Sequence, residues 1–235
     1  MTTPVGASAP SGLAARLSAI DERIADAARA AGRPATEITR IVVTKFHPAS
    51  LVRDLHDLGV RSVGENRQQE LTAKAAELSA LGLEWHFIGQ GQTNKAAAIR
   101  RSADVVHSVD RDRFADALHR AADGDDILDV LVQVNLTEDE GRGGVAPSGA
   151  AALAEHVLTL SSLRLRGVMA VAPLNEEPAA AFARLRAIAE DVRAVAPDAT
   201  WISAGMTGDF AEAIAAGATH LRIGSAITGP RPARG

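Results

Sequence analysis

Ile38-Thr39-Arg40-Ile41-Val42-Val43-Thr44, closed by Lys45 and followed over 49–58 by a helical pattern, is the first beat of an alternation that runs to the end of the chain. Short β-branched or apolar runs return at 62–64, 84–88, 105–108, 127–135, 163–170, 200–203 and 220–223. Between them lie Ala-rich stretches with apolar residues at helical spacing, near 66–80, 93–101, 111–122, 147–160, 178–195 and 207–216. Pro147 and Pro178 stand where a first-turn proline is tolerated, and Gly217 closes a helix. Parallel strands need a crossover between them, and helices supply it. An open doubly wound sheet and a closed barrel share this pattern. The count of eight strands, and a length of 235 residues near the roughly 250 typical of the fold, favour the (β/α)8 TIM barrel.

Upstream of the first strand, Leu13, Leu17, Ile20, Ile24 and Ala27 recur at helical spacing and predict an extra amphipathic helix over 13–31. Residues 1–10, rich in Pro, Ser, Thr and Gly, read as a disordered lead-in. With no internal repeat or linker, 11–230 is expected to be one domain and 231–235 a short tail. Composition closes several function classes. The chain has no cysteine, hence no disulfide, thiolate metal site or cysteine nucleophile, and no tyrosine to act as a phenolic acid or base. Lys+Arg 25 against Asp+Glu 29, with no basic stripe and 3% aromatics, gives nucleic acid nothing to bind. No apolar run approaches the roughly 20 residues of a membrane span, and Met1 to Pro10 has no signal-peptide character. The expectation is a cytoplasmic protein.

Some motifs mislead. Gly89-Gln90-Gly91-Gln92-Thr93-Asn94-Lys95 follows a strand and opens a helix, but Asn94 stands where a dinucleotide or phosphate loop needs glycine. The seven histidines, His47, His56, His86, His107, His119, His156 and His220, show no metal-ligand spacing, so no metal is expected. Gly141-Arg142-Gly143-Gly144 reads as a mobile loop, and the nucleophile-elbow pattern of serine hydrolases is absent.

Lys45 is different. A lysine closing a buried apolar strand must be paired, solvated or shifted toward neutral, and in a parallel barrel that strand end faces the functional mouth. There a desolvated amine can form an imine. At the far end of the chain, Ser203-Ala204-Gly205-Met206-Thr207-Gly208-Asp209 and Arg222-Ile223-Gly224-Ser225 follow the seventh and eighth strands. Small residues, hydroxyls and free amides there suit a phosphate. Each loop alone is ordinary turn chemistry. Together with Lys45 they suit pyridoxal 5′-phosphate (PLP).

These segments, with Gly64-Glu65-Asn66, Trp85-His86-Phe87-Ile88-Gly89, Gln92-x-Asn94-Lys95 and Gly167-Val168-Met169-Ala170, resemble the pyridoxal phosphate homeostasis proteins from about Ile38 to Gly229. Those are PLP binders of fold type III, related to the barrel domain of alanine racemase. The resemblance implies that Lys45 holds PLP as an internal aldimine. It also implies that Ser203, Thr207 and the amides of Gly224 and Ser225 bind the phosphate. Arg222 would approach the pyridine nitrogen, and Asn66, His86 and Met206 would line the pocket. Departures from the family pattern are Arg67 in place of an aromatic, Thr207 for serine, Gly208 for a polar residue and Arg142 for a lysine. Lys95 is kept as a possible second PLP-binding lysine.

Two functions share this fold, cofactor and lysine. One is a vitamin B6 homeostasis protein that holds PLP without turnover, with apo PLP-dependent enzymes as partners. The other is an amino-acid racemase, which needs a second acid/base on the opposite face of the substrate. In the racemases that group is a tyrosine contributed by an extra β-domain of the neighbouring subunit. With no tyrosine and no such domain in the chain, a non-enzymatic monomer is expected, with no catalytic residue. A phosphate-sugar enzyme using Lys45 is the fallback if PLP does not bind.

Overall fold

Eight parallel strands close on themselves in chain order in the computed structural model, which describes residues 12–231. They are β1 (Thr39–Val43), β2 (Ser62–Glu65), β3 (Glu84–Phe87), β4 (Val105–Val109), β5 (Leu128–Gln133), β6 (Leu163–Met169), β7 (Trp201–Ser203) and β8 (His220–Ile223). Closure is made by β1 against β8, with Thr39 opposite His220 and Val42 opposite Ile223. The expectations for residues 1–10 and for the tail beyond Arg231 lie outside the described residues.

Helices cover the barrel: α1 (Leu13–Ala30), α2 (Ala49–Asp57), α3 (Gln68–Glu77), α4 (Ala96–Arg100), α5 (Asp112–Arg120), α6 (Ala150–Leu158), α7 (Pro178–Val195), α8 (Phe210–Ala215) and α9 (Ser225–Thr228). Three expected helices start three residues later than their periodicity suggests. The stretches 93–95 and 147–149 are single 3₁₀ turns ahead of α4 and α6. Residues 207–209 form a turn because the Asp209 carboxylate accepts the Met206 N–H at 2.6 Å, and α8 begins only at Phe210. The extra helix α1 buries Leu17, Ile20, Ile24 and Ala28, and packs on α8 and α9. Among the described residues no helix is long and apolar enough to cross a membrane.

Alternate residues on a strand point to opposite faces, and here the two faces differ in chemistry. Outward-facing Val42, Val63, Trp85, Phe87, Val106, Val130, Val132, Val168, Ile202, Leu221 and Ile223 join the helices in one apolar layer. Each such side chain contributes about 1.5–3 kcal/mol on full burial. Inside the barrel the apolar side chains are Ile41 and Val43 of β1 and a small cluster of Val105, Leu131 and Met169 with Trp201 against it. The other buried interior positions of β3, β4, β7 and β8 are polar: His86, His107, Ser203, His220 and Arg222.

Gly167 marks the tightest approach in the sheet. It lies at a register shift between β5 and β6, with φ at +152°. A Cβ there would stand 1.9 Å from the Trp201 carbonyl oxygen. Gly167→Ala is expected to cost about 3 kcal/mol, the upper end of overpacking, and to lower the melting temperature by roughly 6–12 °C. Gly208→Ala, where a Cβ would meet nothing within 4 Å, is the control expected to melt like wild type.

Candidate functional site at the C-terminal mouth of the barrel

Lys45 sits in a turn pinned on both sides. Thr44 donates its N–H to the Gly64 carbonyl at 3.0 Å and its hydroxyl to Glu65 Oε1 at 2.6 Å. Lys74 of α3 donates to the same Oε1 at 2.6 Å and to the Thr44 carbonyl at 2.9 Å. Beyond Lys45, the Phe46 N–H donates to Glu70 Oε2 at 2.7 Å. Phe46 has a φ of +68°, left-handed backbone that costs a residue with a side chain about 1–2 kcal/mol. Glu65 is fully buried; that burial raises its pKa, against the lowering by Lys74 and Thr44. Its second oxygen has no partner among the described residues.

The half-buried Lys45 itself makes no hydrogen bond or ion pair with a described residue, and its Nζ lies 6.0 Å from the centre of the Phe46 ring. That ring also carries the guanidinium of Arg67 at 4.8 Å and of Arg231 at 4.3 Å. Arg67, standing where the family pattern has an aromatic, therefore lies on an aromatic from the neighbouring loop.

Register sets what surrounds the lysine. Val43 pairs with Gly64, so the end of β2 and Asn66 follow alongside. Ile223 pairs with Val42, so Gly224 and Ser225 leave β8 beside the Lys45 turn. Asn66 is half-buried with its Oδ1 buried and unpartnered among the described residues. Gly89 lets that backbone pass, since a Cβ on it would stand 2.0 Å from the Asn66 carbonyl oxygen. Lys95 lines an adjoining cleft of about 180 Å³ with Asn66, Arg67 and Gln92. Arg142 belongs to a different cleft, with Thr137, Asp139 and Glu176.

Arg222 is a buried cation. Its Nη1 donates to Ser203 Oγ at 2.7 Å and its Nη2 to the Ala170 carbonyl at 2.8 Å. Among the described residues it has no ion pair. Burial pulls its pKa down to about 10, with Asp209 opposing, so it stays charged at neutral pH. In the two loops beside it, the backbone N–H groups of Thr207, Gly208, Gly224 and Ser225 make no hydrogen bond to a described residue. Thr207, half-buried, and Ser225, exposed, add hydroxyls there. Met206 is exposed at the rim.

Ser203 and His86 lie deeper than the sequence reading placed them. The Ser203 hydroxyl is fully buried and engaged by Arg222 and by His107 Nδ1 at 2.9 Å. His86 is fully buried with both ring nitrogens in use, Nδ1 on His107 Nε2 at 2.9 Å and Nε2 on Glu84 Oε2 at 2.9 Å. The histidines that look scattered in sequence thus converge, His86 and His107 with ring centres 5.1 Å apart and His220 at 6.4 Å from each. Among the described residues no group could hold a metal ion. Sequence reasoning missed Glu84, His107, Glu65, Glu70 and Lys74. The signal available was a polar residue at every second position of 84–86 and 220–222, the inward phase of two strands.

A buried cation without a carboxylate, an unpartnered amine and a set of uncommitted amide N–H groups at one mouth fit an aldehyde-bearing aromatic phosphate. Comparison with known proteins points the same way. Residues 15–232 match the family model described as the alanine racemase N-terminal domain. The chain is 41% identical to the pyridoxal phosphate homeostasis protein of Mycobacterium tuberculosis, over 93% of this chain and 92% of that one. It is 38% identical to the protein of that name in Escherichia coli, over 93% and 97%. Among solved structures, PipY of Synechococcus elongatus PCC7942 with PLP bound has a TM-score of 0.81 at 34% identity, covering 93% of this chain and 100% of that chain. Alanine racemase from Corynebacterium glutamicum, at 17% identity and a TM-score of 0.65, shares the fold and covers 90% of this chain and 60% of that one.

Removing Lys74 leaves a buried carboxylate unpaired. Lys74→Met is expected to cost about 3–5 kcal/mol, read by chemical denaturation, and Glu65→Leu/Lys74→Met to recover most of it. A second expectation concerns acid. Burial holds His107 well below the ordinary histidine pKa and His220 at about 3. The unfolded chain binds protons on both first, so stability is full above about pH 6.5 and falls toward pH 3, with a slope of about 1.4 kcal/mol per pH unit for each. Glu84, held at about 2 chiefly by its hydrogen bond from His86, adds to the loss below pH 4.5. His220→Gln is expected to make the denaturation midpoint fall less steeply between pH 6.5 and 4.

Proposed function

Because the chain belongs to the pyridoxal phosphate homeostasis protein family, we propose that it binds PLP at this mouth through Lys45 and holds it without turning over an amino acid. The observation that carries the reading is the unpartnered Lys45 amine in a rigid turn at the same barrel end as the buried Arg222 guanidinium. PLP, when bound, supplies an aldehyde that condenses reversibly with amines and a ring able to accept electrons.

Each residue then has a physical task. Lys45 Nζ would hold the cofactor through its aldehyde, an attachment that other amines can displace, which suits storage and release. The N–H groups of Thr207, Gly208, Gly224 and Ser225, with the hydroxyls of Thr207 and Ser225, donate to the phosphate. Arg222, which keeps its own proton at neutral pH, would be the donor to the ring nitrogen; it would leave that nitrogen unprotonated and the ring a weak electron sink. Asn66 and Met206 would flank the ring, and Ser203 and His86 would act from beneath through Arg222.

Racemisation needs a second acid/base opposite the lysine, and the 235 residues include no tyrosine for it. All residues assigned come from one chain, so the reading takes 11–230 as one domain acting as a monomer, with apo-enzymes that need PLP as recipients.

The protein mixed with PLP is expected to develop the visible band of amine-bound PLP. Borohydride reduction and peptide mapping are expected to place a pyridoxyl mass on Lys45, and Lys45→Ala to abolish both. A mass on another residue, or none, would overturn the assignment. Loaded protein incubated with L-alanine in deuterated water is expected to leave the α-hydrogen in place; deuterium entering that carbon would replace the carrier reading with a racemase.

A further inference from the structure

A continuous file of polar side chains crosses the barrel from its N-terminal mouth to Arg222. Glu84, first residue of β3, has a side chain 44% exposed at that mouth, and its Oε2 accepts from Ser62 Oγ at 2.9 Å and lies 2.9 Å from His86 Nε2. His86 Nδ1 meets His107 Nε2, and His107 Nδ1 meets Ser203 Oγ, each at 2.9 Å. Ser203 Oγ receives the Nη1–H of Arg222 at 2.7 Å. His220 stands beside the file, not in it, with its Nδ1 on the Thr219 hydroxyl at 2.8 Å.

The donor at the far end dictates the rest. Arg222 only donates, so Ser203 Oγ accepts from it, and the single hydroxyl proton has His107 Nδ1 as its other partner. His107, accepting at Nδ1, carries its proton at Nε2 and donates it to His86 Nδ1. His86, accepting there, carries its proton at Nε2, facing the Glu84 carboxylate, which only accepts. The neutrality this requires of His107 agrees with its full burial beside Arg222 and two further imidazoles. Every polar atom in the file is satisfied in this direction, which is what a buried network needs.

We propose that Glu84, His86, His107 and Ser203 form a one-directional hydrogen-bond relay that orients the Arg222 guanidinium from the opposite mouth of the barrel. The four are positioning residues for whatever Arg222 touches. The consequence for a bound ring rests on the PLP reading above, whereas the direction of the relay does not.

Nuclear magnetic resonance of the ¹⁵N-labelled histidine and arginine side chains reads the relay directly. In wild type, His86 and His107 are both expected to be protonated at Nε2 alone. Glu84→Ala changes a half-exposed residue remote from the PLP mouth. It is expected to give His86 a mixture of tautomers, to move the His107 and Arg222 signals, to displace the visible maximum of the loaded protein by several nanometres, and to weaken PLP binding about 3- to 10-fold, the scale of one oriented hydrogen bond. Glu84→Gln, whose amide oxygen still accepts from His86 Nε2–H, is expected to restore all of these, which a merely structural role for Glu84 does not require. A doubly protonated His86 or an Nδ1-protonated His107 in wild type would overturn the direction. Tautomers that move while spectrum and affinity stay put would overturn the positioning role. If wild type takes up no PLP, the binding reading fails by itself, and the relay stands or falls on whether Glu84→Ala shifts the His107 and Arg222 signals in the unloaded protein.

Discussion

The ladder between β1 and β8 is the constraint on which the rest of the mouth depends. Nothing in the local sequence of 39–43 calls for a partner 181 residues away, yet Thr39 pairs with His220 and Val42 with Ile223. With that edge closed, the turn that carries Lys45 lies against the loop that carries Gly224 and Ser225, and Arg222 comes to lie inside the cylinder. Had the sheet stayed open, the amine and the uncommitted amides of Gly224 and Ser225 would stand at its two outer edges. Closure also removes the exposed strand edges that an open parallel sheet must cover.

Inside the cylinder the chain accepts an unusual cost, a buried guanidinium without a carboxylate. Transfer of a charge into a low-dielectric interior is unfavourable unless hydrogen bonds replace its water. Ser203 and the Ala170 carbonyl replace part of it, and His107, His86 and Glu84 extend the bonding to solvent on the far side. The Glu65–Lys74 pair solves a related problem beneath Lys45, where it fixes the turn through Thr44 and leaves the lysine amine free. Both devices leave the mouth electropositive and rigid, the condition for holding an anion in one orientation.

Much of this was legible in one dimension. The alternation of short apolar runs with helical patterns is a local property, and all eight observed strands lie within the predicted spans to a residue. Lys45 stood out because an amine ending an apolar run needs an explanation, and Arg222 with Gly224 and Ser225 because glycine and serine follow a strand. Glu65 and Lys74 gave no such signal: nine residues apart, they meet only because β2 and α3 pack on each other. The polar file was invisible for the same reason, its contacts joining residues 21 and 96 positions apart. A search for metal spacing tests only near neighbours, so three converging histidines looked scattered.

By itself the sequence determined the order of elements, the closing lysine of the first strand, and a chemistry without thiols or phenols. Those depend on residue type and on periodicity over a few positions. Only the tertiary structure decided which side chains share the barrel interior, that Ser203 and His86 serve Arg222 from below, and that a glutamate at one mouth governs hydrogen bonds reaching the other. The register of eight strands around a closed cylinder sets those contacts, and register is a property of the whole sheet.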